Sequence, residues 1–78
     1  MARRKVFLTF PQTLVKEPIL WRIGQEYQVV TNIRGASITE EVALLALMLE
    51  GESDKIDLSI TYLQEQGVKV ETLEEEDE

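Results

Sequence analysis

One segment constrains the fold of this sequence more than any other: residues 42–50, VALLALMLE, are apolar at both alternating sets of positions. Successive side chains of a strand point to opposite faces of the sheet. Residues 45, 47 and 49 therefore share one face, and residues 42, 44, 46 and 48 share the other. Because a strand with two apolar faces is typical of the covered centre of a sheet, this segment predicts a central strand that ends at Gly51.

Two further strands are predicted before this segment. Residues 6–10, VFLTF, end at a proline that cannot donate a ladder hydrogen bond, and their alternation places Val6, Leu8 and Phe10 on one face. Residues 29–38 are rich in β-branched side chains, and Gly35 indicates a bulge or close approach by another group. Strict alternation puts one set of this strand on a common face: Val30, Asn32, Arg34, Ala36 and Ile38.

Two helices complete the pattern. Glu17-Pro18 is a typical helix start, and the first helix carries an apolar stripe at Leu20, Ile23 and Tyr27. The second helix is predicted to be capped by Ser53 and to end at Gly67, with its stripe at Ile56, Ile60 and Leu63. Residues 68–72 then alternate as a half-buried last strand. The connection between the first strand and the first helix spans residues 12–16.

The order βαββαβ predicts an α+β, ferredoxin-like fold, with two helices on one face of a four-stranded antiparallel sheet in the order 4-1-3-2. The opposite face has no helix, yet it receives Phe7 and one apolar set of the third strand. An apolar face of this kind predicts a cover, of which a second copy of the chain is the simplest. The alternative is the scattered apolar surface that small domains normally show. The residues expected at a homodimer interface are Phe7, Val30, Leu44 and Met48.

Composition excludes several classes of function. The chain has 78 residues, one domain in length, with no Cys and no His, so thiol nucleophiles, zinc fingers and imidazole bases are excluded. Fifteen acidic against eight basic residues give a net charge of −7, which repels nucleic acid. We therefore expect no enzyme activity, no metal and no cofactor. No apolar run is long enough for a membrane span, so a cytoplasmic protein is expected. Residues 1–5 are expected to be a basic flank, and residues 74–78 a disordered acidic tail.

The sequence resembles the NIL domain, named for an Asn-Ile-Leu triplet. The resemblance covers residues 6–73 and rests on five segments: Phe10, Pro18-Ile19-Leu20 with Tyr27, Val30-Thr-Asn-Ile33, Leu49-Glu-Gly51 and Tyr62-Leu-Gln-Glu-Gln-Gly-Val-Lys-Val-Glu71. NIL domains occur in the ATPase subunits of methionine importers, fused to some ferredoxins and as free-standing proteins.

The resemblance implies a regulatory fold similar to the amino-acid-binding ACT domain. It also implies that this domain pairs with its twin and binds an amino acid of the methionine class, as the NIL domain of the importer does. The ligand-contacting asparagine of the family falls on Asn32, beside Ile33 and Arg34. Arg34 stands where the motif has leucine, and it either clamps a ligand carboxylate or is a solvated edge charge. The alternative function is an adaptor without a metabolite ligand, which docks on a transport or iron–sulfur protein.

Overall fold

The computed structural model describes residues 1–11 and 18–77, the last two by their backbone alone. Its elements are β1 (Ala2–Pro11), α1 (Ile19–Tyr27), β2 (Val30–Ile38), β3 (Val42–Gly51), α2 (Ser53–Glu65) and β4 (Lys69–Asp77). The strands form one antiparallel sheet in the order β2-β3-β1-β4. The predicted ferredoxin-like α+β fold, with β1 and β3 at its centre, is confirmed. Of the helix start predicted at Glu17-Pro18, Pro18 is the cap residue of α1, directly before Ile19. Glu17 and the connection at residues 12–16 lie outside the described residues.

The core lies between the helices and one face of the sheet. Val6, Leu8 and Phe10 of β1 are buried, as their alternation predicted. Val6 stands opposite Leu47 of β3, which is also fully buried. Burial of one such aliphatic side chain is worth about 1.5–3 kcal/mol, so these two strands supply much of the stability. The helices add the following buried side chains: Ile19, Ile23, Ile56 and Leu63.

Of the two predicted ends of α2, one was wrong by one residue and the other is confirmed. The cap is Glu52, so the prediction of Ser53 was wrong by one position, and Ser53 begins the helix without a capping hydrogen bond from the cap side chain. At the other end Gly67 has φ of 99°, and its N–H donates to the Gln64 carbonyl at 3.1 Å. The Val68 N–H donates to the Leu63 carbonyl at 3.0 Å. This pair of bonds is a Schellman motif, and the predicted stop at Gly67 is confirmed.

Gly24, inside α1, offers a stabilising substitution. A Cβ there would meet the Val29 carbonyl oxygen at 3.7 Å, an ordinary contact, and Gly24 is not among the positive-φ residues. We expect Gly24→Ala to raise the free energy of unfolding by about 0.5–1 kcal/mol, because alanine restricts the unfolded chain without strain. Urea unfolding measures this. Gly67→Ala is the matched control and should lower stability, since its φ is left-handed. Destabilisation by Gly24→Ala would contradict an unstrained helix at this position.

Both ends of the chain are more ordered than predicted. β1 begins at Ala2 and β4 continues to Asp77, so strands extend into the segments that the sequence assigned to a basic flank (residues 1–5) and an acidic tail (residues 74–78); Glu78 lies outside the described residues. Unlike charges on neighbouring strands stabilise their pairing, and Arg4 of β1 forms an ion pair with Glu75 of β4. The register sets three basic residues of β1 against three acids of β4: Arg3 with Glu76, Arg4 with Glu75, and Lys5 with Glu74.

Candidate functional site on the open face of the sheet

The sheet face that does not carry the core is called the open face here, and it gathers all four residues predicted for an interface. Phe7 of β1 lies opposite Ala46 of β3. On β3, Ala46 is flanked on this face by Leu44 and Met48. Phe7, Leu44 and Met48 are half-buried. Val30 of β2 lies opposite Glu50 and is 54% exposed. The structure therefore brings these four side chains to one apolar surface.

Asn32 also belongs to the open face. It lies on the edge strand β2, opposite Met48, and is half-buried. Its neighbour Ile33 lies opposite Leu47, a core residue, and so points to the helix side of the sheet, where it is 60% exposed. The structure thus separates these two predicted ligand residues onto opposite faces. Of these two residues, only Asn32 has its side chain on the open face.

A bulge in β2 changes which later residues share that face. Ile33 pairs with Leu47 and Gly35 with Ala46, so Arg34 is an extra residue with no partner on β3. The bulge that Gly35 indicated is confirmed, but strict alternation fails from Arg34 onward. The residues predicted to share the face of Asn32 were therefore partly wrong: Ala36 lies opposite Leu45 and Ile38 opposite Ala43, on the helix side.

The same bulge brings two small residues to the open face. Gly35 now lies opposite Ala46, and Ser37 lies opposite Leu44. With Phe7 they form an open depression of about 230 Å³, whose lining residues are Phe7, Gly35, Ala36, Ser37, Leu44 and Ala46. Its lining side chains are apolar apart from the Ser37 hydroxyl. None of the predicted ligand residues lines it, whereas two predicted interface residues, Phe7 and Leu44, do.

The sequence feature that pointed to this part of the sheet was Gly35, which indicated a bulge or close approach by another group. A Cβ at Gly35 would meet no described heavy atom within 4 Å, and Gly35 does not have a positive φ. Neither crowding among the described residues nor a left-handed backbone therefore demands glycine here. Its lack of a side chain instead leaves the depression open. Ser37 and Ala46 had no comparable signal, because their position depends on the bulge and on pairing with β3.

The described residues show no arrangement suited to metal binding. No group of three or more potential ligands among His, Cys, Asp and Glu is placed to hold an ion in that part of the chain. Neither α1 nor α2 is long and apolar enough to cross a membrane. Charged residues of three strands also lie on the open face: Arg3, Lys5, Glu50, Lys69 and Glu71. Arg3 forms an ion pair of 3.6 Å with Glu50 at one end of the sheet. The surface therefore offers the Asn32 amide and apolar side chains with charged residues around them.

Three comparisons with solved structures place the fold. The C-terminal domain of an ABC transporter ATP-binding protein from Enterococcus faecalis is 31% identical, with a TM-score of 0.80, over 90% of this chain and 82% of that one. The C-terminal domain of MgtC from Mycobacterium tuberculosis (14% identical, TM-score 0.59, over 95% of this chain and 89% of that one) shares the fold alone. So does a de novo designed protein, Foldit4 (10% identical, TM-score 0.58, over 99% and 97%).

Sequence comparison is more specific. The chain is 34% identical over 70 residues to the methionine import ATP-binding protein MetN 1 of Bacillus cereus. The match covers 85% of this chain and 20% of that relative, so the chain spans about one fifth of the curated relative's length. The NIL domain profile matches residues 4–72, which include both helices, all of β2 and β3, and Asn32. The chain therefore belongs to the NIL domain family.

Proposed function

We propose that this chain is a non-enzymatic regulatory module that binds a small amino-acid-like ligand, of the methionine class, and works as a homodimer in the cytoplasm. The observation that carries the proposal is the position of Asn32 in a NIL domain: its amide lies on the open face, next to half-buried apolar side chains. The relatives named above, a methionine import ATP-binding protein and a domain of an ABC transporter, support a role in regulating transport.

The chemistry of the open face suits an amino acid with an apolar side chain. The Asn32 amide offers both a donor and an acceptor, which match the carboxylate and the ammonium of a free amino acid. The depression beside Phe7 is apolar and about 230 Å³ in volume. A flexible thioether adapts to irregular apolar surfaces and contacts aromatic rings favourably. In this arrangement Asn32 holds the polar end of the ligand, and the depression receives its side chain.

The two edges of the sheet support dimerisation along β2. Large apolar side chains of this edge strand are exposed on both of its faces: Val30 by 54%, Ile33 by 60% and Ile38 by 68%. β4, the other edge, exposes Glu71, Glu74 and Glu75, and self-pairing there would bring like charges together. Exposed apolar edge strands are the ones that pair with another chain. A second copy on β2 would cover this edge and bring two Asn32 side chains to the junction.

A second candidate is the adaptor that docks on a transport or iron–sulfur protein and binds no metabolite. It is favoured by one observation: none of the three predicted ligand residues lines the depression, which is open and apolar like the centre of a protein interface. Under this proposal the open face contacts the partner protein directly. Ligand titration separates the two candidates.

The test of the proposed function is calorimetric titration with L-methionine and a small panel of other amino acids. We expect saturable binding, which Asn32→Ala weakens by about 1–3 kcal/mol because buried hydrogen bonds to the ligand are lost. Gln25→Ala is the matched control, since it removes an exposed amide from α1 and should leave affinity unchanged. Equal affinity in the Asn32 variant would place the ligand elsewhere. No heat with any amino acid, from folded protein, would favour the adaptor. A monomer in light scattering would contradict the homodimer.

A further inference from the structure

The C-terminal end of β4, residues 74–77, is called the strap here; it lies beyond the NIL match, which ends at residue 72. It runs antiparallel to residues 2–5 of β1 and covers the backbone edge of this basic segment. We propose that the strap is a conformational device held by charge, which detaches from β1 as a unit while the rest of the domain stays folded. Its release uncovers a basic strand edge.

The strap has no apolar anchor. Leu73, the last apolar residue of the chain, is 47% exposed and has no partner on β1, because the register shifts between Lys5 and Val6. Every strap residue after it is acidic, and the side chains of Glu74 and Glu75 are exposed. The strap therefore adds no apolar side chain to the core, whereas Val70 at the start of β4 and the preceding Val68 both pack there. The interactions that hold the strap on β1 are therefore backbone hydrogen bonds and attraction between charges.

The charged contact that holds the strap is the one between Arg4 and Glu75. The side chain of Arg4 is only 8% exposed, and it lies between β4 and α2. Its Nη1 donates to Oδ1 of Asp57 at 2.7 Å, and its Nε donates to Oε1 of Glu75 at 3.1 Å, with a second bond from Nη2 to the same oxygen. Burial by itself lowers the pKa of Arg4, but the hydrogen bonds to Asp57 and Glu75 outweigh it and raise that pKa. The guanidinium thus stays charged and holds the strap by a forked contact.

The domain tolerates release of the strap because Arg4 has a second partner. A buried cation left without a counter-ion is strongly destabilising, but Asp57 on α2 still pairs with Arg4 when Glu75 leaves. The core pairs of β1 with β4, Val6 with Thr72 and Leu8 with Val70, lie before the bulge and remain in place. A bulge interrupts the ladder, so the unpaired Leu73 is a natural boundary between the anchored and the detachable part of the strand.

Release changes the surface that β1 presents. Residues 2–5 would then have free backbone N–H and C=O groups along one edge of the strand. This segment includes the basic residues Arg3 and Lys5. An open strand edge is a template for pairing with another extended segment. In the closed state the acidic strap pairs with this edge and blocks it. An acidic strand of another molecule would have to displace the strap before it could pair with residues 2–5.

The test is amide hydrogen exchange of the full chain, comparing Glu75→Gln with Glu74→Gln. Both variants remove one strap charge, but only Glu75 contacts Arg4; Glu74 lies opposite Lys5. We expect Glu75→Gln to speed exchange by about tenfold at those amides of residues 2–5 and 74–77 that bond across the β1–β4 ladder, since a charge-assisted hydrogen bond is lost. Glu74→Gln should change it by less than about threefold, and amides of β3 should be unaffected in both variants.

Three results would overturn the proposal. Equal acceleration in the two variants would mean that general repulsion among the acids, rather than the Arg4 contact, controls the strap. Acceleration of β3 amides in step with the strap would show that the strap opens only with the whole domain. An unchanged exchange rate in Glu75→Gln would show that this contact does not hold it.

Discussion

The Leu47→Ala variant is expected to lose about 2–5 kcal/mol of unfolding free energy, the range for large-to-small substitutions in a packed core. Leu47 is fully buried on the central strand β3, between Val6 of β1 and Ile33 of β2. Single domains are stable by roughly 0.05–0.15 kcal/mol per residue, so this loss is a large part of the total for so short a chain. Urea unfolding followed by circular dichroism measures it.

Leu44→Ala is the matched control for this prediction. It removes the same atoms from the same strand, but Leu44 lies on the open face and is half-buried. A cavity opens only where surrounding atoms enclose the site, so the loss should be well below that of Leu47→Ala in the monomer. An equal loss would show that the open face is covered in solution, as a homodimer would cover it. A loss below about 1 kcal/mol for Leu47→Ala would contradict the core assignment.

Val6→Asp is expected to cost at least about 3–5 kcal/mol at neutral pH, because it leaves a charge buried without a partner. Val6 is completely buried on the central strand β1. Burial disfavours the ionised carboxyl, so its pKa in the folded state rises above the ordinary value of about 3.9. The folded state then binds a proton more tightly than the unfolded state. The variant is therefore least destabilised in acid, and the destabilisation grows as the pH rises through these two pKa values.

Thr9→Asp is the control for the introduced charge. Thr9 lies on the same strand but on the open face, half-buried and opposite Lys69 of β4. A carboxyl there keeps access to water and has a cationic neighbour, so only a small change is expected. Thermal unfolding at pH 5 and pH 8 compares the two variants. If the stability of Val6→Asp does not decrease from pH 5 to pH 8, burial of this position is contradicted.

The order of strands and helices and the core face of β1 were predictable from the sequence because they depend on local periodicity. Val6, Leu8 and Phe10 alternate with less buried neighbours, and the apolar residues of β3 mark it as a central strand wherever the others lie. Gly67 ends α2 for a reason contained in a single residue, its tolerance of positive φ. These features need no knowledge of partners distant in the chain.

The candidate site was predictable only as far as the bulge in β2. Asn32 precedes it and lies on the open face, as the interface residues do. Beyond Arg34 the alternation is shifted by one residue, so Gly35 and Ser37, rather than Ala36 and Ile38, lie opposite the open-face residues of β3, and both line the depression. Glycine indicated that a bulge was possible, but the pairing with Ala46 and Leu44 determines which side chains it redirects.

Taken by itself, the sequence determined the element order, the apolar faces and the family of this protein, because each is encoded in residue types at short spacing. Only the tertiary structure decided the shape of the open face and the state of the two chain ends. The Arg4–Glu75 contact joins residues 71 positions apart, and it orders segments whose composition alone is typical of solvated, frayed ends. Such contacts depend on strand register, which is set by the packing of the whole sheet rather than by any one segment.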